Sequence, residues 1–362
     1  MVSAPPSRAG NSLLVSTAAL VVIVAGLRAA QTIVVPFLLA AFLTLLSLPT
    51  LHWFQRKGLP SWVALLVITV VVVLIGIVLV GVVGSSVSGL QAQLSAYQAR
   101  VGVLQTDLDA WLKQHGMEAG LSLDRQVFDT RRILSLFGSM LGALGSLLNN
   151  ALIIAFMLVF MQLEATDLPA KLRAITPEGS DVLVRLERIQ STVWRYVRLK
   201  TRLSVLTGVL VTVWLWMLGI DFPLLWGLVA FLFNYVPTIG SFIAAVPAVL
   251  VAVLQPEAAG LPLSPADSLH LALYAALGYI VINVVIGNVI EPRVTGSGVG
   301  LSTLVVFLSL VFWGWVLGPV GMVLSVPLTM VVKIALDNSQ DLRWVAILLG
   351  SDVPAEPGSG PS

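Results

Sequence analysis

Residues 61–84 read SWVALLVITVVVVLIGIVLVGVVG, with no charged side chain anywhere in the stretch. An apolar helix of about 20 residues crosses a hydrocarbon core about 30 Å thick, so this segment alone predicts a membrane span. It sits inside a longer uncharged run, 58–99, and seven further runs without Asp, Glu, Lys or Arg cover 11–27, 29–55, 133–163, 203–220, 222–256, 268–290 and 294–332. Across the 362 residues, hydrophobic side chains make up 57% and charged ones only 10%. A soluble domain carries about 25% charged residues, so the remaining charge here is too sparse to clothe a globule in water.

The runs predict an all-α polytopic membrane protein with about eight membrane segments. They fall at 12–28, 32–51, 61–84, 146–163, 203–219, a broken segment at 222–254, 268–290, and a second broken segment at 301–333. The first run has signal-peptide features, with a small-residue site near Ala29 and Ala30. Its thin positive region and the nearby Arg28 favour a retained span. Five regions follow: three spans in 1–84, an extracytoplasmic amphipathic helical segment in 85–145, and a fourth span with a cytoplasmic amphipathic helix in 146–202. A transport core with two broken hairpins fills 203–335, and 336–362 forms a cytoplasmic tail.

Basic residues set orientation through the bias of cytoplasmic loops. Arg56 and Lys57 follow the second span with no acid beside them, and 164–202 holds eight basic residues against five acids. The stretch 91–135 is balanced, five against five. Both termini are therefore expected in the cytoplasm of a bacterial inner membrane. Two of the polar stretches read as helices. Leu90, Leu94, Tyr97, Val101, Leu104, Leu108 and Trp111 form a heptad seam, serving either packing within the chain or self-association. Val182, Leu186, Ile189, Val193 and Tyr196 share one face of a second helix, whose arginines and Trp194 suit the headgroup layer.

The chain has no cysteine, and His52, His115 and His270 show no ligand spacing, so no metal and no cofactor is expected. The net charge of +2 offers nothing to nucleic acid. No Walker loop is present, and the serines, histidines and carboxylates form no catalytic constellation, so an enzyme is not expected.

The functional signal lies in the C-terminal third. Asn-Tyr-Val-Pro-Thr-Ile-Gly at 234–240 interrupts one broken segment, and Leu-Gly-Pro-Val-Gly at 317–321 interrupts the other. Each break is followed by a Val-Pro pair, ending at Pro247 and Pro327. Span 203–219 runs outward into the first broken segment, and span 268–290 runs inward into the second. Inverted units carrying interrupted helices point to a transport site. Two arrangements satisfy the pattern: re-entrant hairpins, or full crossings with Pro and Gly at tight turns. Asn234, Tyr235, Pro237, Thr238, Gly240, Ser241, Asn283 and Asn288 are candidates for the substrate pathway. Glu291, Pro292, Arg293, Gly296, Gly318, Pro319 and Gly321 are candidates for a gate or coupling site, with Glu291 and Arg293 alternatively simple edge charges.

At Phe233–Gly240, at Asn288–Gly296 and from Gly318 to Pro327 the sequence resembles the autoinducer-2 exporter family of bacterial membrane proteins. Arg293 fits the basic position that follows Glu-Pro in the family motif, whereas Ser241 stands where a second proline is customary. The resemblance implies a multi-span permease, drawn with eight membrane segments, that forms homo-oligomers. It also implies export of a small solute, with autoinducer-2 associated with some members and sodium or lithium extrusion against protons with others. Acids flanking the core spans, Asp221 and Glu291 among them, sit at the predicted ends of spans and none lies within one, which counts modestly against antiport. A non-transporting oligomeric scaffold built through the 88–115 helix is the reading from another class. The expected partners are the lipid bilayer, a small-molecule or ion substrate and further copies of the chain.

Overall fold

A computed structural model describes residues 8–115, 142, 150–175, 182–236, 239–258, 260–295, 300–337 and 342–351. These residues are almost entirely helical. In chain order they form α1 (Arg8–Ala29), α2 (Gln31–Arg56), α3 (Ser61–Gln114), α4 (Ala151–Ile175) and α5 (Val182–Met217). Then come α6 (Pro223–Phe233), α7 (Gly240–Leu254) and a two-residue ribbon, β1 (Glu257–Ala258) with β2 (Leu261–Pro262). The chain continues through α8 (Pro265–Val284), a π-helical turn (Val285–Ile290), α9 (Glu291–Thr295), α10 (Thr303–Asp337) and α11 (Arg343–Leu349). Among the described residues five helices are long and apolar enough to cross a membrane: α2, α3, the 191–217 part of α5, the 265–294 stretch, and α10.

Two boundaries expected from the sequence are absent as breaks. α3 continues through Gly84, joining the third span to the amphipathic helix that follows. Its 54 residues extend about 81 Å at 1.5 Å per residue, far beyond any bilayer core. The serines at 85, 86 and 88, just past the expected end of the span, return their hydroxyls to the carbonyls of Val82, Val82 and Gly84. Such back-bonding satisfies a serine without ending the helix. α5 likewise runs through residues 202 and 203, so the amphipathic stretch and the span after it are one helix of 36 residues. No Gly or Pro interrupts that junction, and its one buried cation, Lys200, is paired. At the other end of the chain, α11 docks on the base of α10, where Ser302 N donates to Leu349 O at 3.1 Å and Ala346 is fully buried.

The seam on α3 packs within the chain over its first half. Leu90, Tyr97 and Val101 are buried in the main apolar cluster with Val211 of α5, Val229 of α6 and Ala248 of α7. Trp111 remains 50% exposed. Helices α5 and α6 approach to backbone contact: a Cβ on Gly227 would lie 1.8 Å from Thr212 Oγ1 and 2.6 Å from the Gly208 carbonyl oxygen. Small residues permit this closeness in lipid, where dispersion packing drives helix association. Gly227→Ala is therefore expected to part the two helices and cost about 2 kcal/mol, read as a lowered melting temperature in detergent.

Both broken segments are hairpins. The arms of the first, α6 and α7, have 11 and 15 residues, reaching about 17 and 22 Å at 1.5 Å per residue. Each is shorter than a hydrocarbon core of about 30 Å. In α10 the break is Gly318, at φ 68° and ψ −152°, a region that only glycine occupies without strain. Trp313 Nε1 donates to Thr329 Oγ1 at 3.0 Å. Sixteen residues of straight helix would separate such positions by about 24 Å, so the arms fold back on each other. Each tip is closed by a later glycine against a backbone carbonyl. A Cβ would meet Phe233 O at 1.9 Å from Gly240, and Trp313 O at 1.9 Å from Gly321.

Candidate functional site

Helix α5 carries Tyr196, Lys200, Thr201, Ser204 and Thr207 at spacings of four, five, eight and eleven from the first, which align on one side of a 3.6-residue helix. Lys200, Ser204 and Thr207 are 7%, 0% and 2% exposed, so this polar line faces protein rather than lipid. Part of it is self-satisfied: Thr201 Oγ1 donates to Val197 O at 2.7 Å and Thr207 Oγ1 to Leu203 O at 2.9 Å.

The tip of the first hairpin meets this line. Asn234 Nδ2 donates to Ser204 Oγ at 2.9 Å, and the Tyr235 hydroxyl donates to Thr201 Oγ1 at 2.6 Å. Tyr235 is buried, with Phe42 of α2 and Phe231 of α6 edge-on to its ring at 5.9 and 5.8 Å. Phe42 and Tyr196 also pack against the base of α10, around Val326 and Met330. Elements from α2, α5, the first hairpin and the second hairpin therefore converge here. The α5 line thus receives the polar side chains of the turn at 234–236, whose backbone N–H groups are bonded within the hairpin itself.

Glu291 completes the line. The π-helical turn Val285–Ile290 ends on it, and such turns insert a residue and re-aim the side chains that follow. Lys200 Nζ lies 2.7 Å from Glu291 Oε1, with side-chain exposures of 8% and 29%. Tyr196 faces the same carboxylate. α5 and α8 run antiparallel. The Lys200–Glu291 pair ties them at one end, and Trp214 Nε1, donating to Tyr274 O at 3.1 Å, ties them further along.

Thus Asn234, Tyr235 and Glu291 come together on α5, and the other candidates lie elsewhere. Asn283 spends its amide on Tyr279 O of its own helix, at 2.8 Å. Asn288 is exposed on the π turn, and Pro292 and Arg293 are exposed just beyond Glu291. Gly240 and Ser241 open α7, the glycine buried and the serine half-buried. Gly318, Pro319 and Gly321 shape the tip of the second hairpin, near Trp315, which stacks under the Arg28 guanidinium at 4.3 Å. Pro237, Thr238 and Gly296 lie outside the described residues. Sequence reasoning missed Lys200, Thr201 and Ser204 because they sit at the end of a basic stretch assigned to headgroups. Their one signal was the Tyr196, Lys200, Ser204 spacing entering an uncharged run.

Long apolar helices that bury a polar line with an ion pair along it belong to a multi-pass membrane protein, and the class is the membrane transporters. The chain belongs to the AI-2E transporter family: the family model described as AI-2E family transporter matches residues 17–341. It is 34% identical over 347 residues to "AI-2 transport protein TqsA" of Escherichia coli, covering 96% of this chain and 97% of that one. It is also 34% identical over 349 residues to "Putative transport protein YhhT" of the same species, with the same coverage. A transport protein of Haemophilus influenzae, named in the same provisional form, is 35% identical over 343 residues, 93% and 95% of the two chains.

Proposed function

We propose that this transporter exports a small polyhydroxylated solute of the autoinducer-2 kind across a bacterial inner membrane, through the polar line of α5. The carrying observation is the pairing of Tyr235 with Thr201 and of Asn234 with Ser204, hydroxyl and amide groups held among apolar helices. Groups of that chemistry exchange their mutual hydrogen bonds for those of a solute rich in hydroxyls, with no net charge to balance. The name of the Escherichia coli relative, an AI-2 transport protein, supports the same solute. Lys200 and Glu291 act as the gate at the cytoplasmic end, an orientation supported by the basic residues at 56, 57, 195, 198 and 202. The chain works as a homo-oligomer with both termini in the cytoplasm.

Purified protein in liposomes is expected to move labelled autoinducer-2, and Tyr235→Phe to slow it about tenfold, the value of about 1.4 kcal/mol. That variant keeps the aromatic packing and loses one hydroxyl, so its melting temperature changes little. Wild-type liposomes no faster than empty ones would sink the assignment of solute.

A further inference from the structure

A second polar cluster lies at the C-terminal end of α5. From Lys200 to Met217 the helix rises about 26 Å at 1.5 Å per residue, and the turn that follows carries Asp221. Gln255, fully buried at the end of α7, laces that turn together. Its Oε1 accepts from Asp221 N and its Nε2 donates to Gly219 O, both at 3.1 Å. Trp226 Nε1 donates to Asp221 O at 3.0 Å. The Asp221 carboxylate reaches across to α3, where the hydroxyl of the buried Tyr97 stands 2.7 Å from Oδ2. That same hydroxyl is 2.6 Å from Gln93 Oε1.

One hydroxyl carries one proton, and here it faces two acceptors. A protonated Asp221 donates to the Tyr97 oxygen, and Tyr97 in turn donates to Gln93. An ionised Asp221 accepts the Tyr97 hydrogen bond instead, which leaves Gln93 Oε1 facing the hydroxyl oxygen without a proton between them. With Oε1 turned to the hydroxyl, as it stands here, the hydrogen bonds are complete only with the extra proton in place. We propose that Asp221 is a proton-binding site that locks the extension of α3 onto the α5–α6 turn, tightly when protonated and loosely when ionised. This joint is independent of which solute the α5 line carries.

The surroundings give the sign. Burial raises the Asp221 carboxyl above its usual range, the Tyr97 hydrogen bond works against that, and nearby Glu257 on β1 adds to it. Among the described residues, Arg100 of α3 donates to Ser268 of α8 at 2.6 Å and faces Asp267, which His270 also faces. Undocked, Asp221 returns to the ordinary carboxyl value, so the docked state holds more protons between the two. Docking is then strongest in acid and weakens as pH rises through the docked value.

Because the chain contains no cysteine, spin labels on Ala99→Cys and Leu261→Cys, both exposed, report the joint alone. Pulsed dipolar distances are expected to show one compact population at about pH 5 and a growing longer one toward about pH 8. Asp221→Asn, which mimics the protonated side chain, is expected to stay compact at both. Glu257→Gln, removing a repulsion, is expected to move the loosening to lower pH. A wild-type distribution that ignores pH, or any Asp221→Asn result other than the compact population at both values, overturns the proposal. Transport of autoinducer-2 is a separate measurement, so its failure leaves this one standing.

Discussion

Gly240→Ala is expected to remove most of the folded protein from a detergent extract. The added Cβ would lie 1.9 Å from the Phe233 carbonyl oxygen and 2.8 Å from the carbonyl carbon, both backbone atoms. A flexible side chain would swing aside, but the last turn of α6 cannot move without opening the hairpin. Overpacking in a tight core costs about 1–3 kcal/mol, and a clash with backbone belongs at the upper end, about 3 kcal/mol or more. Asn234 and Tyr235 hang on that same turn, so their bonds to α5 go with it. Gly321→Ala repeats the clash against Trp313 O at 1.9 Å and is expected to match it. Gly76→Ala and Gly81→Ala enter open space in α3 and stabilise by about 0.5–1 kcal/mol, the helix-interior difference between the two residues. Thermal melts of the four variants check the contrast; equal melting temperatures for Gly240→Ala and Gly76→Ala would refute the tight-turn account.

Glu291→Gln is expected to be the most damaging single change at the α5 line. It strands the Lys200 ammonium, 8% exposed, among apolar side chains. Removing one member of a buried ion pair costs about 3–5 kcal/mol, whereas replacing both is often neutral. Lys200→Met leaves Glu291 unpaired but 29% exposed, so its cost falls below that of Glu291→Gln. The double variant Lys200→Met with Glu291→Gln recovers most of the stability. Its flux stays at least tenfold below wild type, since a gate with no closing interaction cannot hold one face shut. A double-mutant cycle in melting temperature, together with liposome flux, separates the two effects. Stability rescued along with full flux would leave the pair a structural strut and remove it from the mechanism.

The membrane fold was legible because it is written in composition. Uncharged runs such as 58–99 and 294–332 admit no other solvent. The breaks were also legible, because Pro and Gly cluster at 237–240 and 318–321, whereas the lone prolines at 36 and 49 stay inside α2. The candidate site was legible only in part. Asn234, Tyr235 and Glu291 stood out as polar groups inside apolar surroundings, yet their partners Ser204, Thr201 and Lys200 did not. Serine and threonine satisfy themselves on their own helix and carry no periodic signal, and a lysine beside Arg195, Arg198 and Arg202 looks like every other interfacial cation. The boundaries expected inside α3 and α5 were misplaced for a related reason. Polar residues that mark a loop in water continue a helix when their hydroxyls bond back to the preceding turn, as at Ser86 with Val82 O, 2.7 Å away.

By itself the amino-acid sequence determined that this protein lives in lipid and that two hairpins interrupt its last third. Those properties depend on transfer from water and on backbone sterics, both local in the chain. Tertiary structure alone decided that the first hairpin turns against α5, and that Lys200 midway along that helix and Asp221 just beyond its C-terminal end each have a partner 91 or 124 residues away. Pairings over such separations depend on how helices cross, and crossing is set by close contacts such as Gly208 with Gly227. No spacing along the chain records them.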